Sequence, residues 1–294
     1  MQSTLNYKLI KKIQDERFDV DLINQYDLLI HVGPRDMQVG VIDSRESKML
    51  LLEDFVFPLL TSQDEVLQVL EQLFDDHSLL KAAFWKVIKI SIKNNKFVQV
   101  PQVLFVEESQ EEYLKFNAQI NHEKEYVQSV INKQSNAATV FTFPKDLKDW
   151  FQKLYPSNVV FIHQSAVLIE GITQVSKSRD DNPLYIFVDR FKLHIVYAKK
   201  GKLIYYNQFV IKQFAEYVKY IMLVLKTLNL SQESSQVVLW GYIGRNSPHY
   251  NEFYKYINNV VFGQRPKHLK FGYMFDELQD HHFFDLYSMH LVGS

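Results

Sequence analysis

Two stretches of the chain carry a similar alternation of apolar and polar positions and can be overlaid without a gap. They cover residues 41–57 and 195–211, and the overlay places Lys48 on Lys202 and Phe55 on Phe209. Alternation with a period of two predicts β-strands. Each stretch also follows another apolar, strand-like segment. The pattern therefore indicates a divergent duplication.

Each copy predicts a three-strand meander followed by a helix. In the first copy, Ser62 and Glu65 have the spacing of a capping box before a helix. In the second copy, the helix after the third strand has an apolar stripe, which comprises Phe214, Val218, Ile221, Leu225 and Leu228. The predicted strands are residues 27–32, 37–42 and 48–57 in the first copy, and 184–189, 192–197 and 202–211 in the second.

Further strands and helices are predicted after both meanders. The second copy continues with a strand at 236–243, a helix opened by Ser247 and Pro248, a strand near 268–274 and a final helix from Asp276. The first copy continues with paired strands at 87–92 and 97–106, a charged helix at 107–120 and a hairpin of 127–131 with 139–143. A helix at 145–155, a strand at 159–163 and a helix from Ser165 complete it.

This order of elements predicts two halves and an insertion. We expect the first half to cover residues 1–176, with an inserted subdomain at about 93–143, and the second half to cover 177–294. The N-terminal segment predicts either a loose helix or an added strand.

Two copies of strand-strand-strand-helix-strand-helix-strand-helix resemble the actin-like ATPase superfamily. The resemblance implies an α/β fold with duplicated ribonuclease-H-like halves, in which mixed five-stranded sheets flanked by helices face each other across a nucleotide cleft. More closely, the chain resembles an uncharacterised Bacteroidota family, a domain of unknown function with an actin-like ATPase fold. The insertion resembles that of the pilus-assembly and cell-division branch, whose members are cytoplasmic scaffolds for membrane-bound machinery.

The resemblance also implies where a nucleotide would bind. Active relatives have Asp-x-Gly after the first strand of each half, so that backbone N–H groups approach phosphate and a carboxylate holds hydrated Mg²⁺. In the first half, His31 stands at the carboxylate position, and Gly33, Arg35 and Asp36 are the candidate contacts. Pro34 removes one N–H donor from this turn.

The second half departs from the pattern in a different way. Matching His31 with Asp189 puts a carboxylate in place, but the turn is then about four residues shorter than the first, and Arg190 and Phe191 replace the glycines. After the later strand, Gly241 and Gly244 match in part the adjacent glycines that hold adenosine in the superfamily. A simple strand-to-helix turn explains these two glycines better.

Other chemistry has little support in the sequence. His281 and Asp285 are spaced to share a helix face and contribute to a metal site, but an acidic helix start is the favoured interpretation, and we predict no metal site. Asp189 lacks the convergent carboxylates of a two-metal nuclease. The chain has no Gly-x-Ser-x-Gly motif.

Composition limits the environment and the partners. The net charge is -1 and the sequence pI is about 6.8, so there is no electrostatic footprint of nucleic-acid binding. The sequence has no cysteine, which suits a reducing compartment, and no apolar stretch like a signal peptide or a membrane span. We expect a cytoplasmic protein with no direct membrane insertion.

These observations predict a non-catalytic actin-like scaffold or regulator, a pseudo-enzyme that binds an unidentified protein and needs no cofactor. One alternative is a divergent protein that binds ATP and Mg²⁺ through the seven candidate positions. A second is an enzyme with unrelated chemistry in the cleft. The sequence predicts neither pathway nor oligomeric state.

Overall fold

The computed structural model describes residues 7–60, 62–156, 159–213, 215–245 and 247–293, and these form two compact units. The first unit is the chain up to Val167, together with Lys267–Glu277 and the residues from Met289. The second unit is Leu168–Pro266 with Leu278–Ser288. The predicted limits of the two halves and of the insertion stay predictions. Phe214, the first residue of the predicted helical stripe, lies outside the described residues.

The strands run in chain order as β1 (Lys8–Gln14), β2 (Tyr26–Val32), β3 (Asp36–Asp43), β4 (Lys48–Val56), β5 (Val87–Ile92), β6 (Phe97–Pro101), β7 (Glu125–Asn132), β8 (Ala137–Pro144), β9 (Val159–His163), β10 (Leu184–Val188), β11 (Lys192–Lys199), β12 (Lys202–Val210), β13 (Val237–Gly241) and β14 (Val260–Phe262). The α-helices are α1 (Gln63–Asp76), α2 (Ser78–Lys81), α3 (Gln110–Leu114), α4 (Lys145–Leu154), α5 (Gln164–Ser176), α6 (Ala215–Thr227), α7 (Pro248–Tyr256) and α8 (Phe284–Ser288). Short 3-10 helices include Val20–Gln25, Tyr273–Glu277 and Met289–Leu291.

The first unit is built on a mixed sheet with the order β1-β4-β3-β2-β5-β9. Strands β2, β5 and β9 are parallel, β2, β3 and β4 form an antiparallel meander, and β1 pairs antiparallel with β4. The sheet has one strand more than the five predicted, because the N-terminal segment forms β1 and pairs with β4. Of the two alternatives for this segment, the added strand is confirmed.

The core of the first unit contains the buried face of α1. Val69, Leu70 and Leu73 are fully buried, and their spacing places them on one face of the helix. The helix begins after Ser62, whose Oγ accepts the N–H of Glu65 at 3.2 Å, so the predicted cap is confirmed. An N-terminal cap of this kind stabilises a helix by about 1 kcal/mol.

The strand pairing predicted for 87–92 and 97–106 is wrong. Strand β5 lies between β2 and β9, while β6 joins a separate three-stranded sheet of order β6-β8-β7. Apolar alternation marked both strands but carried no information about their neighbours. Strand β6 also ends at Pro101, and the charged helix predicted over 107–120 is reduced to the short helix α3 and a 3-10 turn. The predicted hairpin is present as β7 and β8.

The second unit has a five-stranded sheet of order β12-β11-β10-β13-β14. Apolar clusters cover both of its faces. Ile221 and Leu225 of α6 belong to one cluster, and Leu168 and Ile172 of α5 belong to the other. Strand for strand, this order repeats β4-β3-β2-β5-β9 of the first unit, with the same pattern of parallel and antiparallel neighbours. The predicted duplication is therefore present in the topology.

The C-terminal elements differ from the prediction. The last strand of the second sheet is β14, not residues 268–274, which contribute one bridge between Lys48 and Lys270. The final helix predicted from Asp276 is interrupted, because a 3-10 turn ends at Glu277 and α8 starts only at Phe284. Among the described residues, no helix has the length and apolar character needed to cross a membrane.

Candidate nucleotide half-sites

Both units form the same turn after their first meander strand. In the first unit, the Gly33 N–H donates to the Asp36 carbonyl at 2.9 Å. In the second unit, the Asp189 N–H donates to the Lys192 carbonyl, also at 2.9 Å. The two turns therefore have equal length, and each already uses the first N–H that could have faced a phosphate.

The sheet register corrects the predicted match of His31 with Asp189. Val32 pairs with Met37, and Val188 pairs with Leu193, so Val188 is the counterpart of Val32. Counting from this pair matches Gly33 with Asp189 and His31 with Phe187. The four-residue difference in turn length was also wrong, and neither unit has a carboxylate at the Asp position of Asp-x-Gly.

The mismatch between His31 and Asp189 is explained by the hairpin that follows the turn in each unit. The turn between β3 and β4 has four residues, whereas the turn between β11 and β12 has two. The ungapped overlay is therefore correct for β4 and β12 but two residues out of step for β3 and β11. A shift of two keeps every side chain on its own face, so the hydrophobic pattern does not reveal it.

A β-bulge supports the corrected match. In the first unit the register shifts between Val41 and Ile42, and in the second between Tyr197 and Ala198. Counted along the chain from Val32 and from Val188, the two bulges lie at equivalent residues. The two halves thus share a detail of backbone geometry that their sequences do not display.

In the first unit, an ion pair of the chain itself covers the turn. The Lys93 ammonium lies 3.0 Å from Asp36 Oδ2, and both residues are buried. A Cβ placed on Gly33 would lie 2.4 Å from Asp36 Oδ1 and 3.1 Å from Lys93 Cδ. The two side chains therefore occupy the space next to the glycine. Arg35 is half-buried, and its carbonyl accepts the Phe57 N–H at 2.8 Å.

In the second unit, an arginine and a tyrosine cover the equivalent turn. The Arg190 guanidinium lies 4.2 Å from the centre of the Tyr242 ring and donates to its hydroxyl at 3.1 Å. Asp189 is buried, and its Oδ1 accepts the Arg190 N–H at 2.8 Å. A carboxylate bonded to its own turn is poorly placed to order water around Mg²⁺.

Lys93 and Tyr242 occupy equivalent positions in the two units. The Lys93 N–H donates to the Val32 carbonyl and the Tyr242 N–H donates to the Val188 carbonyl, each at 2.8 Å. Both residues directly follow the strand parallel to the first meander strand. Each unit therefore closes its turn with a large side chain from the same place in the fold, although the chemistry of the two closures differs.

Gly241 and Gly244 have different structural roles. Gly241 has a φ of +93°, and a Cβ there would lie 2.1 Å from the Val188 carbonyl oxygen, so the backbone itself requires glycine. Gly244 is exposed, and no atom lies within 4 Å of its Cβ position. The helix α7 follows with Ser247 as its cap, as predicted. All seven candidate positions stay predictions as nucleotide contacts.

The C-terminal histidines have a structural setting. His281 precedes α8, so it does not share a helix face with Asp285, and its Nε2 lies 2.6 Å from the Ile243 carbonyl oxygen. Burial lowers the pKa of His281 and lowers the pKa of His282 to about 4. Across the described residues, no three side chains of the metal-binding types come together to hold an ion.

The sequence did not reveal a buried polar network in the first unit. His163 Nδ1 lies 2.7 Å from Ser165 Oγ, and its Nε2 lies 3.3 Å from Asn94 Oδ1. The Gln99 amide donates to Ser165 Oγ at 3.0 Å and accepts from Thr139 at 2.8 Å. Ser165 and His163 are fully buried, and the network links the two sheets of the unit.

Comparisons with known proteins identify the fold and the family. The family model described as "Protein of unknown function (DUF3822)" matches residues 15–260. Among proteins with curated descriptions, none matches this sequence.

Two solved structures illustrate the similarity of fold. A Bacteroides thetaiotaomicron protein with actin-like ATPase fold and unknown function is 24% identical to this chain, with a TM-score of 0.75, and the match covers 84% of this chain and 93% of that one. A structure of the PilM-PilN type IV pilus biogenesis complex matches at 10% identity and a TM-score of 0.63, over 90% of this chain and 97% of that one. The protein has the actin-like ATPase fold and belongs to the family of proteins of unknown function DUF3822.

Proposed function

We propose that this protein is a non-catalytic actin-like scaffold or regulator that works through contacts with another protein. The observation that carries the proposal is the closure of both turns by the chain's own side chains. Asp36 and Lys93 close the first turn, and Arg190 and Tyr242 close the second. The cytoplasmic location stays part of the same proposal.

Binding of a phosphate at the first turn would require several changes. The Gly33 N–H is already donated within the turn, and Pro34 has no N–H to offer. The Asp36 carboxylate is paired with Lys93, so it is not disposed to hold hydrated Mg²⁺. Phosphate and Mg²⁺ would each have to replace one partner of this buried ion pair, which requires the two side chains to move apart first.

The second turn would need a similar rearrangement. Asp189 takes the place of Gly33, and the bulky Arg190 and Phe191 that follow it obstruct a close approach of the backbone to a phosphate. The Arg190 cation is held on the Tyr242 ring by a contact of about 1 kcal/mol. Neither unit therefore provides an open turn together with a free carboxylate.

A protein partner is supported by one structural neighbour. PilM has been solved in a complex with PilN, which shows that a protein of this fold forms a protein complex. Identity to that structure is only 10%, so the similarity concerns the fold and does not name a partner for this chain.

Calorimetric titration with ATP and Mg²⁺ tests the proposal. We expect no saturable heat and no phosphate release from the wild-type protein. Asp36→Ala and Asp189→Ala remove the two candidate carboxylates, and Asp149→Ala, at an exposed position on α4, is the matched control. Saturable, Mg²⁺-dependent binding that is retained in Asp149→Ala and lost in folded Asp36→Ala or Asp189→Ala would instead establish the nucleotide-binding alternative.

A further inference from the structure

The two sheets differ at one edge. In the first unit, β1 pairs antiparallel with β4. In the second unit, the equivalent strand β12 ends the sheet, and no other strand in the described part of the chain pairs with its outer side. The duplication thus supplies an internal template for a strand that could be added to the second sheet.

The template defines the segment of β12 that would be paired. Strand β1 contacts β4 from Leu51 to Val56, which lies beyond the bulge. The corresponding part of β12 is residues 205–210, which we call the β12 edge. The bulge in β12 lies before this edge, so it leaves a regular six-residue stretch. An antiparallel strand can therefore pair with β12 in the way that β1 pairs with β4.

The side chains of β4 and β12 differ in burial. The first eight residues of β4 are all buried, whereas every residue of β12 is exposed or half-buried. Val210, the last residue of the edge, is 49% exposed, and Ile204, which directly precedes the edge, is 54% exposed. Exposed edges with apolar side chains are sites where other strands add.

The backbone geometry of the edge also fits an added strand. The Gln208 N–H donates to Oδ1 of the exposed Asn207 at 2.8 Å. This bond uses a neighbouring side chain in place of a second strand. An incoming strand can replace the Asn207 oxygen with a carbonyl at little cost, because that side chain can turn into solvent.

The charges differ between the template and the β12 edge. Lys11 and Lys12 of β1 lie opposite Asp54 and Glu53 of β4, and Lys12 is 2.8 Å from Glu53. The register places Asn207 at the position of Glu53 and Gln208 at the position of Asp54. A strand like β1 would therefore find no acidic residues to pair with its lysines.

Lysines instead lie near both ends of the β12 edge. Lys202 precedes it and Lys212 follows it, and both are exposed. Glu216 lies near the second end, but its carboxylate accepts the N–H groups of Lys212 and Gln213 at the start of α6. A second copy paired antiparallel about Asn207 would bring lysine opposite lysine. The charges therefore favour a different occupant with acidic ends.

We propose that the β12 edge binds an extended segment of a partner protein, antiparallel to β12, with an uncharged apolar-alternating core and acidic residues at both ends. The proposal rests on the proposed scaffold function, since it specifies one of the protein contacts that a scaffold would make. The two can fail separately, because nucleotide titration tests the closed turns and peptide binding tests the edge.

Two synthetic peptides test the proposal with the full chain. Both have a six-residue core of alternating valine and threonine, flanked at each end by two aspartates in one peptide and two lysines in the other. We expect the aspartate-flanked peptide to bind about tenfold more tightly at low salt. It should also slow amide hydrogen exchange within residues 205–210.

Variants separate the backbone contact from the charges. Gln208→Pro removes an edge N–H and should abolish binding, whereas Asn207→Ala should retain it. The exposed double variant Lys202→Glu/Lys212→Glu should reverse the preference towards the lysine-flanked peptide, which keeps the test valid if Gln208→Pro does not fold.

Three outcomes would overturn the proposal. They are absence of exchange protection at β12 with the aspartate-flanked peptide at millimolar concentration, an unchanged preference in the folded double variant, and a concentration-dependent dimer of the wild type that Gln208→Pro abolishes. The last result would assign the edge to a second copy of the chain.

Discussion

Replacing Lys89 by methionine should remove a specific pH dependence of stability. Lys89 is on β5 and is buried in the first unit. Its ammonium donates to the carbonyl of Val292 at 2.6 Å and to that of His290 at 3.2 Å, at the end of the chain. Burial lowers the pKa of Lys89 to about 8, although Asp27 opposes the shift.

The magnitude follows from the difference between folded and unfolded chains. The pKa of Lys89 falls from 10.5 to about 8 on folding, and each unit corresponds to about 1.4 kcal/mol, so the total is about 3 kcal/mol. Between these values the unfolded chain binds the proton more tightly. This group therefore makes the protein more stable as the pH rises through the interval, and its unfavourable contribution is complete below pH 8.

Urea unfolding between pH 7.5 and 9.5 measures the effect. The free energy of unfolding of the wild type should rise by about 2 kcal/mol relative to that of Lys89→Met over this range. Lys153→Met, on the exposed surface of α4, should follow the wild type. Parallel curves for wild type and Lys89→Met would refute the assignment of a lowered pKa to the buried lysine.

Three further predictions concern local structure. Ser62→Ala removes the cap of α1 and should lower the free energy of unfolding by about 1 kcal/mol in urea titrations, whereas no change would contradict the capping contact. Gly241→Ala forces a Cβ against the Val188 carbonyl and should cost more than about 3 kcal/mol or prevent folding, while Gly244→Ala should change stability by less than about 1 kcal/mol; equal effects of the two in thermal unfolding would be inconsistent with these roles. Because burial lowers the pKa of His282 to about 4, the unfolded chain binds its proton more readily and stability falls from pH 6.5 towards 4. Because His282 is only half-buried, solvent screens part of this effect, so His282→Gln should reduce the acid loss by about 1–2 kcal/mol in unfolding titrations, and an unchanged acid loss would count against the shift.

The duplicated sheet was predictable from hydrophobic alternation because buried strands must present apolar residues at a period of two. The residue of the second half that corresponds to His31 was not predictable from this alternation. A two-residue difference between hairpin turns leaves every face unchanged, and only the pairing of Val32 and Val188 with their neighbours exposes it. Residue-type matching then favoured Asp189 because it is a carboxylate.

Pairing between distant strands was also beyond the pattern. The strand at 87–92 was predicted correctly but given the wrong partner, and the short strand β14 was missed in favour of residues 268–274. Short strands carry few alternating positions, so their signal is weak. Closure of the turns by Lys93 and Tyr242 depends on parallel strands that bring these residues beside Val32 and Val188, which local sequence does not specify.

Crystallisation with a non-hydrolysable ATP analogue and Mg²⁺ at millimolar concentration tests the central claim most directly. We expect no triphosphate density at either turn, an Asp36–Lys93 distance that remains near 3.0 Å, and Arg190 still stacked on Tyr242. Triphosphate density against residues 33–36 or 189–192, with either closure opened, would contradict it.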